Sequence, residues 1–519
     1  MKKTSILLTI IIALTLIPLT IADTKITSQS TGQYTHIYDV DSEGTNHIIV
    51  TYETSMFNGE SWFLVPRNFT TYTITIISGE ILKSEIKRAY TPTGEEFTFY
   101  DNYTFKYNAN PTFKLKLNYT MKNGALIVEP NCFFYSPQIY FNPSDKGIVY
   151  IYLPENTKVS NDKIQPAPTS ITWENGKQKV TIQLQSNSAR IAIEYTTTQP
   201  AKTYTYINGI FTVITPERYR EVAENLIKTY NMFYNNLTNI FQKSLTNIRI
   251  KFFAPKLSDL GTGGYIPFNG THLGDIYLNL LYIRTAQGFW EQIALHELIH
   301  HFAWMTGISP NLLWLHEGLA EYLSIKITMD MGWEGASSRK QTLETIAKTL
   351  NENYGFIQWW NPLQTPSNIL NYYSASYMVV KGLVEDNGGI TFLQKLFKEL
   401  SGKTVSDTDT ILQYINKASG RDLTIKFIEW GFKISGESKL YNDIIEAKYL
   451  LSRKRFAQPF AWIANILLDS AINLINSGNM GIASIIAEIG IFIAMFSITL
   501  TVLLWCGIIT IILWRTKYE

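Results

Sequence analysis

Apolar and polar positions change rhythm along this chain. From about Thr24 to Tyr195 they alternate with a period of two in runs rich in Thr, Tyr, Ile, Val and Phe, among them residues 47–51, 71–77 and 112–118. Such alternation puts every second side chain on one face of a strand. Asn175-Gly176 lies between the runs 171–173 and 179–184 and supplies positive φ cheaply, which marks a β-hairpin. The Thr/Pro-containing stretch 196–202 reads as a linker, and after it the period lengthens. Residues 216–241 then read as a helix and 248–253 as a strand, Gly261-Thr262-Gly263-Gly264 as a loop before a strand at 275–280, and 286–432 as almost entirely helical. The expectation is a multidomain α+β protein, with an antiparallel β-sandwich-like domain over 23–200 and a second, mostly helical domain over 203–435.

Each end carries a long apolar run. Residues 1–22 run from Lys2 and Lys3 through an apolar stretch to Ala22, the plan of a secretory signal peptide or, if uncleaved, of an anchor. Residues 489–514 carry no charge, and about 20 apolar residues suffice to cross a bilayer core, so 485–514 predicts a single transmembrane helix. Arg515 and Lys517 follow it and stay inside, which makes 515–519 a cytoplasmic tail and places the bulk of the chain outside the cytoplasm at the cell membrane. Residues 436–484 form a helical juxtamembrane region, in which 456–475 either lies on the outer leaflet or packs as a terminal helix. Glu488, at the outer edge of the span, is given no role. Sequons at Asn68, Asn102, Asn118, Asn236 and Asn269 fit an exported glycoprotein.

Composition narrows the partners. With 45 Lys and Arg against 43 Asp and Glu in 519 residues, the chain has no electrostatic case for nucleic acid. An apolar content of 45% is enough for real cores. Cys132 and Cys506 sit in segments of opposite character, which excludes a cysteine metal site and argues against a disulfide. His36 and His47 are isolated in the β-rich part and read as surface or internally satisfied histidines.

Chemistry concentrates at His296-Glu297-Leu298-Ile299-His300. Phe289, Ile293, His296, His300 and Ala303 recur at helical spacing, so the two imidazoles project side by side one turn apart and can share one Zn²⁺. Glu297 is offset around the helix, free to take a proton from a water that the metal has made acidic. A third ligand is available at Glu317 in Trp314-Leu315-His316-Glu317-Gly318-Leu319-Ala320-Glu321-Tyr322, on a helix that Ser309 would cap and Pro310 would start. Three protein ligands leave one position open for water or substrate, which is the catalytic pattern. Glu321, one turn on, can accept the other N–H of a liganding histidine, or is a solvated helix carboxylate. His301 and His316 neighbour ligands in sequence, point about 100° away, and read as bystanders.

These motifs resemble the gluzincin metallopeptidases of the thermolysin and aminopeptidase-N kind, over roughly residues 205–430. The resemblance implies a catalytic domain with a small mixed sheet and a mostly helical lobe. It implies one Zn²⁺ on His296, His300 and Glu317, with Glu297 as general base. It also implies a downstream Tyr donating to the oxyanion: Tyr377, before Lys381-Gly382, is the nearest match and Tyr373 the reserve. There are two departures from the family pattern, of which the second bears on aminopeptidase specificity. Sixteen residues separate His300 from Glu317, against eighteen in the aminopeptidase-N pattern, and the Gly-Ala-Met-Glu-Asn element that captures a free α-amino group gives way to Gly261-Thr262-Gly263-Gly264-Tyr265. The expectation is a membrane-anchored zinc metallopeptidase acting on peptides or proteins, by endo- or exo-cleavage. The competing reading is a catalytically silent surface scaffold with the same fold.

Overall fold

Strand alternation is what assembles the N-terminal part. In the computed structural model, which describes residues 6–11, 32–66, 71–90, 100–268, 272–362, 364–434, 438–454, 457–476 and 480–518, Tyr34, Tyr38, Val40, Ile48, Val50 and Tyr52 turn inward from Gln33–Val40 and Asn46–Thr54. Those strands lie in a seven-stranded sheet in the order Ser170–Glu174, Lys177–Gln183, Lys146–Tyr152, Gln33–Val40, Asn46–Thr54, Phe113–Met121 and Tyr72–Ser78. Asn175 and Gly176 both have positive φ between the first two, as a tight hairpin requires. A three-stranded sheet (Asn58–Pro66, Tyr100–Asn108, Glu80–Tyr90), a five-stranded one built around Ala192–Thr197 and Asn131–Tyr135, and the two-stranded pair of Ile139–Tyr140 with Ser188–Ala189 complete this part. It is not purely antiparallel as expected: Lys146–Tyr152 runs parallel to Gln33–Val40. Strand direction across so long a connection leaves no mark in the hydrophobic pattern.

His36 departs from expectation as well. It is buried between Tyr34 and Tyr38 on the inner face of its strand, and neither ring nitrogen has a partner among the described residues. Burial pushes its pKa down to about 3, so it packs as a neutral aromatic ring. His47 is exposed, with Nδ1 3.4 Å from Thr120 Oγ1.

The second part opens with a six-stranded mixed sheet, ordered Ile6–Ile11, Thr262–Phe268, Ile276–Asn279, Ile248–Phe253, Phe211–Pro216 and Thr203–Asn208. Thr262–Phe268, hereafter the edge strand because only Ile6–Ile11 lies outside it, is antiparallel to Ile276–Asn279, and pairs antiparallel on its other side with Ile6–Ile11. Those six residues are the part of the expected leader, 1–22, that is described; the remainder lies outside the described residues.

Helices follow: α1 (Arg220–Phe241), α2 (Phe289–Met305), α3 (Leu313–Asp330), α4 (Glu334–Thr349), α5 (Ile369–Glu385), α6 (Ile390–Glu399), α7 (Thr408–Ser419), α8 (Thr424–Glu429), α9 (Ser438–Ser452), α10 (Phe460–Asn476) and α11 (Met480–Tyr518). The apolar faces of α1 to α7 and the sheet close one core, which Leu126, Phe133 and Tyr135 of the N-terminal part also enter. Arg284 donates to the Gly124 and Tyr135 carbonyls and Arg218 to Glu129, tying the two parts together. Of the sequon asparagines, Asn236 is exposed on α1, Asn102 and Asn118 are half-buried with shielded Oδ1 atoms, and Asn68 and Asn269 lie outside the described residues. Cys132 and Cys506 are free. Within α11, 33 residues (Ile482–Trp514) are long and apolar enough to cross a membrane.

Candidate active site

Helix α2 carries the first half of the site because it is buried along both flanks. Phe289, Ile293, Leu295, Leu298 and Phe302 are all inaccessible, and the Tyr230 hydroxyl of α1 donates to the Ala294 carbonyl at 2.9 Å. A helix so enclosed fixes the rotation of its own polar residues. His296 and His300 then face α3 with ring centroids 4.8 Å apart.

Helix α3 starts at Leu313, three residues later than the Ser309-Pro310 signal suggested. Ile308 is bridged to Val405, with Ser309 N–H donating to the Val405 carbonyl, so the chain is extended where a helix was expected; the Ser309 hydroxyl instead accepts from Asn311 N–H. Trp314 Nε1 donates to Thr408 on α7, and Gly318 sits against the Ser376 carbonyl of α5, where an added Cβ would come within 2.5 Å. These contacts draw α3 in close, and Glu317 reaches the histidine pair.

The donor atoms converge. His296 Nε2 is 3.0 Å and His300 Nε2 3.6 Å from Glu317 Oε2, and one nitrogen or oxygen from each of the three residues lies within 4.8 Å of the others. Zinc bonds of 2.0 to 2.1 Å at tetrahedral angles put ligand atoms about 3.3 Å apart; the two separations to Glu317 already match this, and the widest pair would draw in to hold the ion. Two imidazoles and one carboxylate also leave one position open. All three residues are buried. Burial pushes the Glu317 carboxyl up and His300 well down, the latter helped by His296 and His316.

Glu297 lies beside this group. It is fully buried, and neither carboxylate oxygen has a hydrogen-bond partner among the described residues. Burial first, then the Glu317 and Glu321 carboxylates, push its pKa well above the usual carboxylate value. Its other wall is the edge strand at Gly264, where an added Cβ would sit 2.8 Å from Glu297 Oε1. Gly264→Ala is therefore expected to push Glu297 out of line and cut turnover about 100-fold while bound metal stays unchanged, which steady-state kinetics alongside metal analysis would show.

Glu321 is held differently from expectation. Arg339 of α4 grips it in a bidentate pair, Nε to Oε2 at 3.2 Å and Nη2 to Oε1, and Gln292 donates to Oε2 at 3.3 Å. Its Oε1 is consequently 3.9 Å from His296 Nδ1, facing that nitrogen but beyond hydrogen-bond reach. Burial pushes the Glu321 carboxyl up, yet Arg339, His296 and the two hydrogen-bond donors outweigh it and leave it below the usual value. Arg339, itself 1% exposed, has no counterpart in the sequence reading. A lone Arg in an amphipathic helix gives no signal that it turns inward.

Two assignments change. His316 is not a bystander: its Nδ1 lies 3.4 Å from His300 Nδ1 and its Nε2 2.8 Å from the Ile308 carbonyl. That carbonyl can only accept, so His316 Nε2 carries the proton. Burial pushes the His316 pKa down to about 4, so the ring is neutral and its Nδ1 accepts from His300 Nδ1–H. The chain of bonds leaves the lone pair of His300 on Nε2, the atom that faces Glu317. His316→Leu is expected to weaken metal binding about 10- to 100-fold, by competition against a chelator. His301, by contrast, bonds to none of these groups, and its Nε2 has no partner among the described residues.

The second change concerns the tyrosines of α5. Tyr377 packs against Tyr322, and the charges that bear on it most are Glu344 and Glu385. Tyr373 is fully buried, and the charges acting on it are Glu317, Glu321, Arg339 and Glu297. This surrounding, with the Arg339 guanidinium 5.8 Å from its ring, favours Tyr373 over Tyr377 for the role. Four residues apart on one helix, the two differ by one turn of height.

No protein-family model matches the chain, and no curated protein matches it. Among solved structures it is similar to native yeast LTA4 hydrolase, at 13% identity over 82% of this chain and 72% of that one, with a TM-score of 0.32. It is also similar to an M1 zinc metallopeptidase from Deinococcus radiodurans, at 13% identity over 74% of this chain and 90% of that one, with a TM-score of 0.28. Likenesses this slight decide nothing about the fold or the activity. The functional conclusion rests on the side chains of the site.

Proposed function

We propose that this chain is a zinc-dependent metallopeptidase, tethered to a membrane by α11 with its catalytic part outside the cytoplasm. The observation that carries the proposal is the buried convergence of His296, His300 and Glu317 beside Glu297, a carboxylate left without a hydrogen-bond partner among the described residues. Residues 203–435 would be the catalytic domain and 23–200 a supporting β-rich domain. His296 Nε2, His300 Nε2 and Glu317 would hold the ion. Zinc so held supplies Lewis acidity, polarising a carbonyl oxygen and making water easier to deprotonate.

The remaining work falls to the chain's own residues. Glu297 takes the proton of the attacking water on its carboxylate and returns it to the departing amine. Tyr373 donates its hydroxyl proton toward the carbonyl oxygen as charge builds there. A peptide substrate suits the edge strand, which pairs antiparallel with the extended segment Ile6–Ile11 in the register Thr9 to Tyr265 and Leu8 to Ile266. A peptide laid along that edge in place of Ile6–Ile11 passes Gly264 and therefore Glu297.

Metal analysis of the full chain with a peptide library tests this. One zinc per chain and chelator-sensitive cleavage are expected; correctly folded protein that takes up no stoichiometric metal overturns the proposal. Tyr373→Phe should lower kcat about 100- to 1000-fold with little change in KM, whereas Tyr377→Phe should stay close to wild type. The reverse ranking would restore Tyr377 to the oxyanion role.

A further inference from the structure

The apolar part of α11 is too long for one bilayer. Its 33 residues would extend about 50 Å at 1.5 Å per residue, against a hydrocarbon core of about 30 Å. Fitting them all would need a tilt of about 53°, outside the usual range for membrane helices. Part of the segment must lie in water, and the packing of α9, α10 and α11 shows which part.

Over residues 482–494 of α11 one face is packed, while Ile482, Ile485, Ile489 and Phe492 on the other are exposed. Ala483, Ala487 and Ala494 are buried against Ala464, Leu468 and Ala471 of α10, and Gly490 lets the Leu468 side chain approach closely. Beyond Ala494 the buried side chains are Ser497 and Thr501, whose hydroxyls bond back to their own helix. Every side chain described from 502 to 514 is exposed.

The foot of the three-helix bundle is marked by charge. Lys454, in the turn between α9 and α10, donates from Nζ to the carbonyls of Ala494 and Met495, each at 2.9 Å. Arg453 is exposed beside it with its guanidinium 4.6 Å from the Tyr449 ring, and Arg455 follows in sequence. Tyr449, Leu450 and Trp462 are exposed at the same level, which is the mix of basic and aromatic groups found where protein meets headgroups. Higher in the bundle, Lys448 of α9 pairs with Asp469 of α10 at 2.6 Å on the solvent-facing side. A span over the upper half of α11 would sink that ion pair and Lys454 into hydrocarbon, at a high cost. A span over the twenty residues 495–514 is about 30 Å long, ends at Trp514 and Arg515, and leaves every one of these charges outside.

We propose that the membrane surface meets α11 at Ala494–Met495, and that Arg453 and Lys454, at the end of α9, form a footplate in the phosphate layer of the lipid headgroups. This rests on the membrane reading of α11 given above. It shortens the span expected at 485–514 by one third and makes the upper part of α11 a structural strut. Headgroup phosphates are the partner because Arg453 and Lys454 lie next to exposed aromatic rings, continuous with a bare apolar helix.

The test uses the full chain in lipid nanodiscs, in a Cys506→Ser background with spin labels at Ile485→Cys, Ile498→Cys or Ile509→Cys. The label at 485 should be accessible to a water-soluble relaxant, and those at 498 and 509 to oxygen dissolved in lipid. Lipid shielding at 485 equal to that at 498 overturns the boundary while leaving the anchor intact. Water access at 498 and 509 overturns the anchor itself. A further label at Leu450→Cys should become less accessible to water when a third of the phosphatidylcholine is replaced by phosphatidylglycerol, and Arg453→Gln should reduce that lipid preference about fivefold. An unchanged preference in Arg453→Gln, or none in the parent chain, overturns the phosphate contact.

Discussion

Glu297→Gln is expected to abolish peptide hydrolysis, lowering kcat about 100- to 10,000-fold, while leaving zinc stoichiometry unchanged. The amide has the shape of the carboxylate and cannot take a proton. The three residues placed to hold metal do not depend on it: His296, His300 and Glu317 are set by α2 and α3 through Tyr230, Trp314 and Gly318. A second effect of opposite sign follows. In the metal-free protein Glu297 is a buried carboxyl with no hydrogen-bond partner among the described residues, pressed by Glu317 and Glu321. Placing an amide there removes the cost of either burying that charge or holding the carboxyl protonated at neutral pH. Metal-free Glu297→Gln should therefore melt a few degrees above metal-free wild type, by calorimetry at neutral pH. Lost activity with equal or greater stability is the mark of a residue kept for chemistry. If the variant bound no zinc, Glu297 would have to be counted among the ligands.

The site divides by what its parts depend on. Two histidines at i and i+4, and a carboxylate followed by Gly on the next helix, are visible in one dimension because the helix repeat alone puts them on shared faces. The partners of those groups are set by how helices cross, and no repeat encodes a crossing. His316 points about 100° away from Glu317 around α3, yet both reach α2, because α3 is drawn in so tightly that two neighbouring positions meet it. Tyr373 and Tyr377 are equivalent in pattern and differ only in which turn of α5 lies level with the donors. The hydropathy of α11 likewise reads as a single segment, since Ala and Gly positions packed on α10 and bare Ile and Leu positions count alike. Local structure was more legible: Ile248–Phe253 and the Asn175-Gly176 hairpin fall where alternation and positive-φ residues require. The start of α3 was displaced by a bridge from Ile308 to Val405, a contact across nearly a hundred residues.

Arg339→Met is expected to have the largest effect on stability, about 3 to 5 kcal/mol of destabilisation. Arg339 and Glu321 are both 1% exposed, so breaking the pair strands a charge in the core. The cost is that of the stranded carboxylate and not the worth of the pair, so replacing both partners with neutral groups should recover much of it. Glu321→Gln combined with Arg339→Met should accordingly unfold in urea at a midpoint well above that of Arg339→Met alone. Metal affinity separates a second consequence from the first. Glu321 faces the Nδ1 edge of His296 at 3.9 Å, a distance set by the bidentate grip of Arg339. In the double variant no carboxylate faces that nitrogen, and the imidazole loses the charge that makes its Nε2 a better donor. Restored folding with metal binding still about 10- to 100-fold weaker is the expected pattern. Restoration of both would reduce Arg339 and Glu321 to a packing device, and the field at His296 would then come from Glu317 alone.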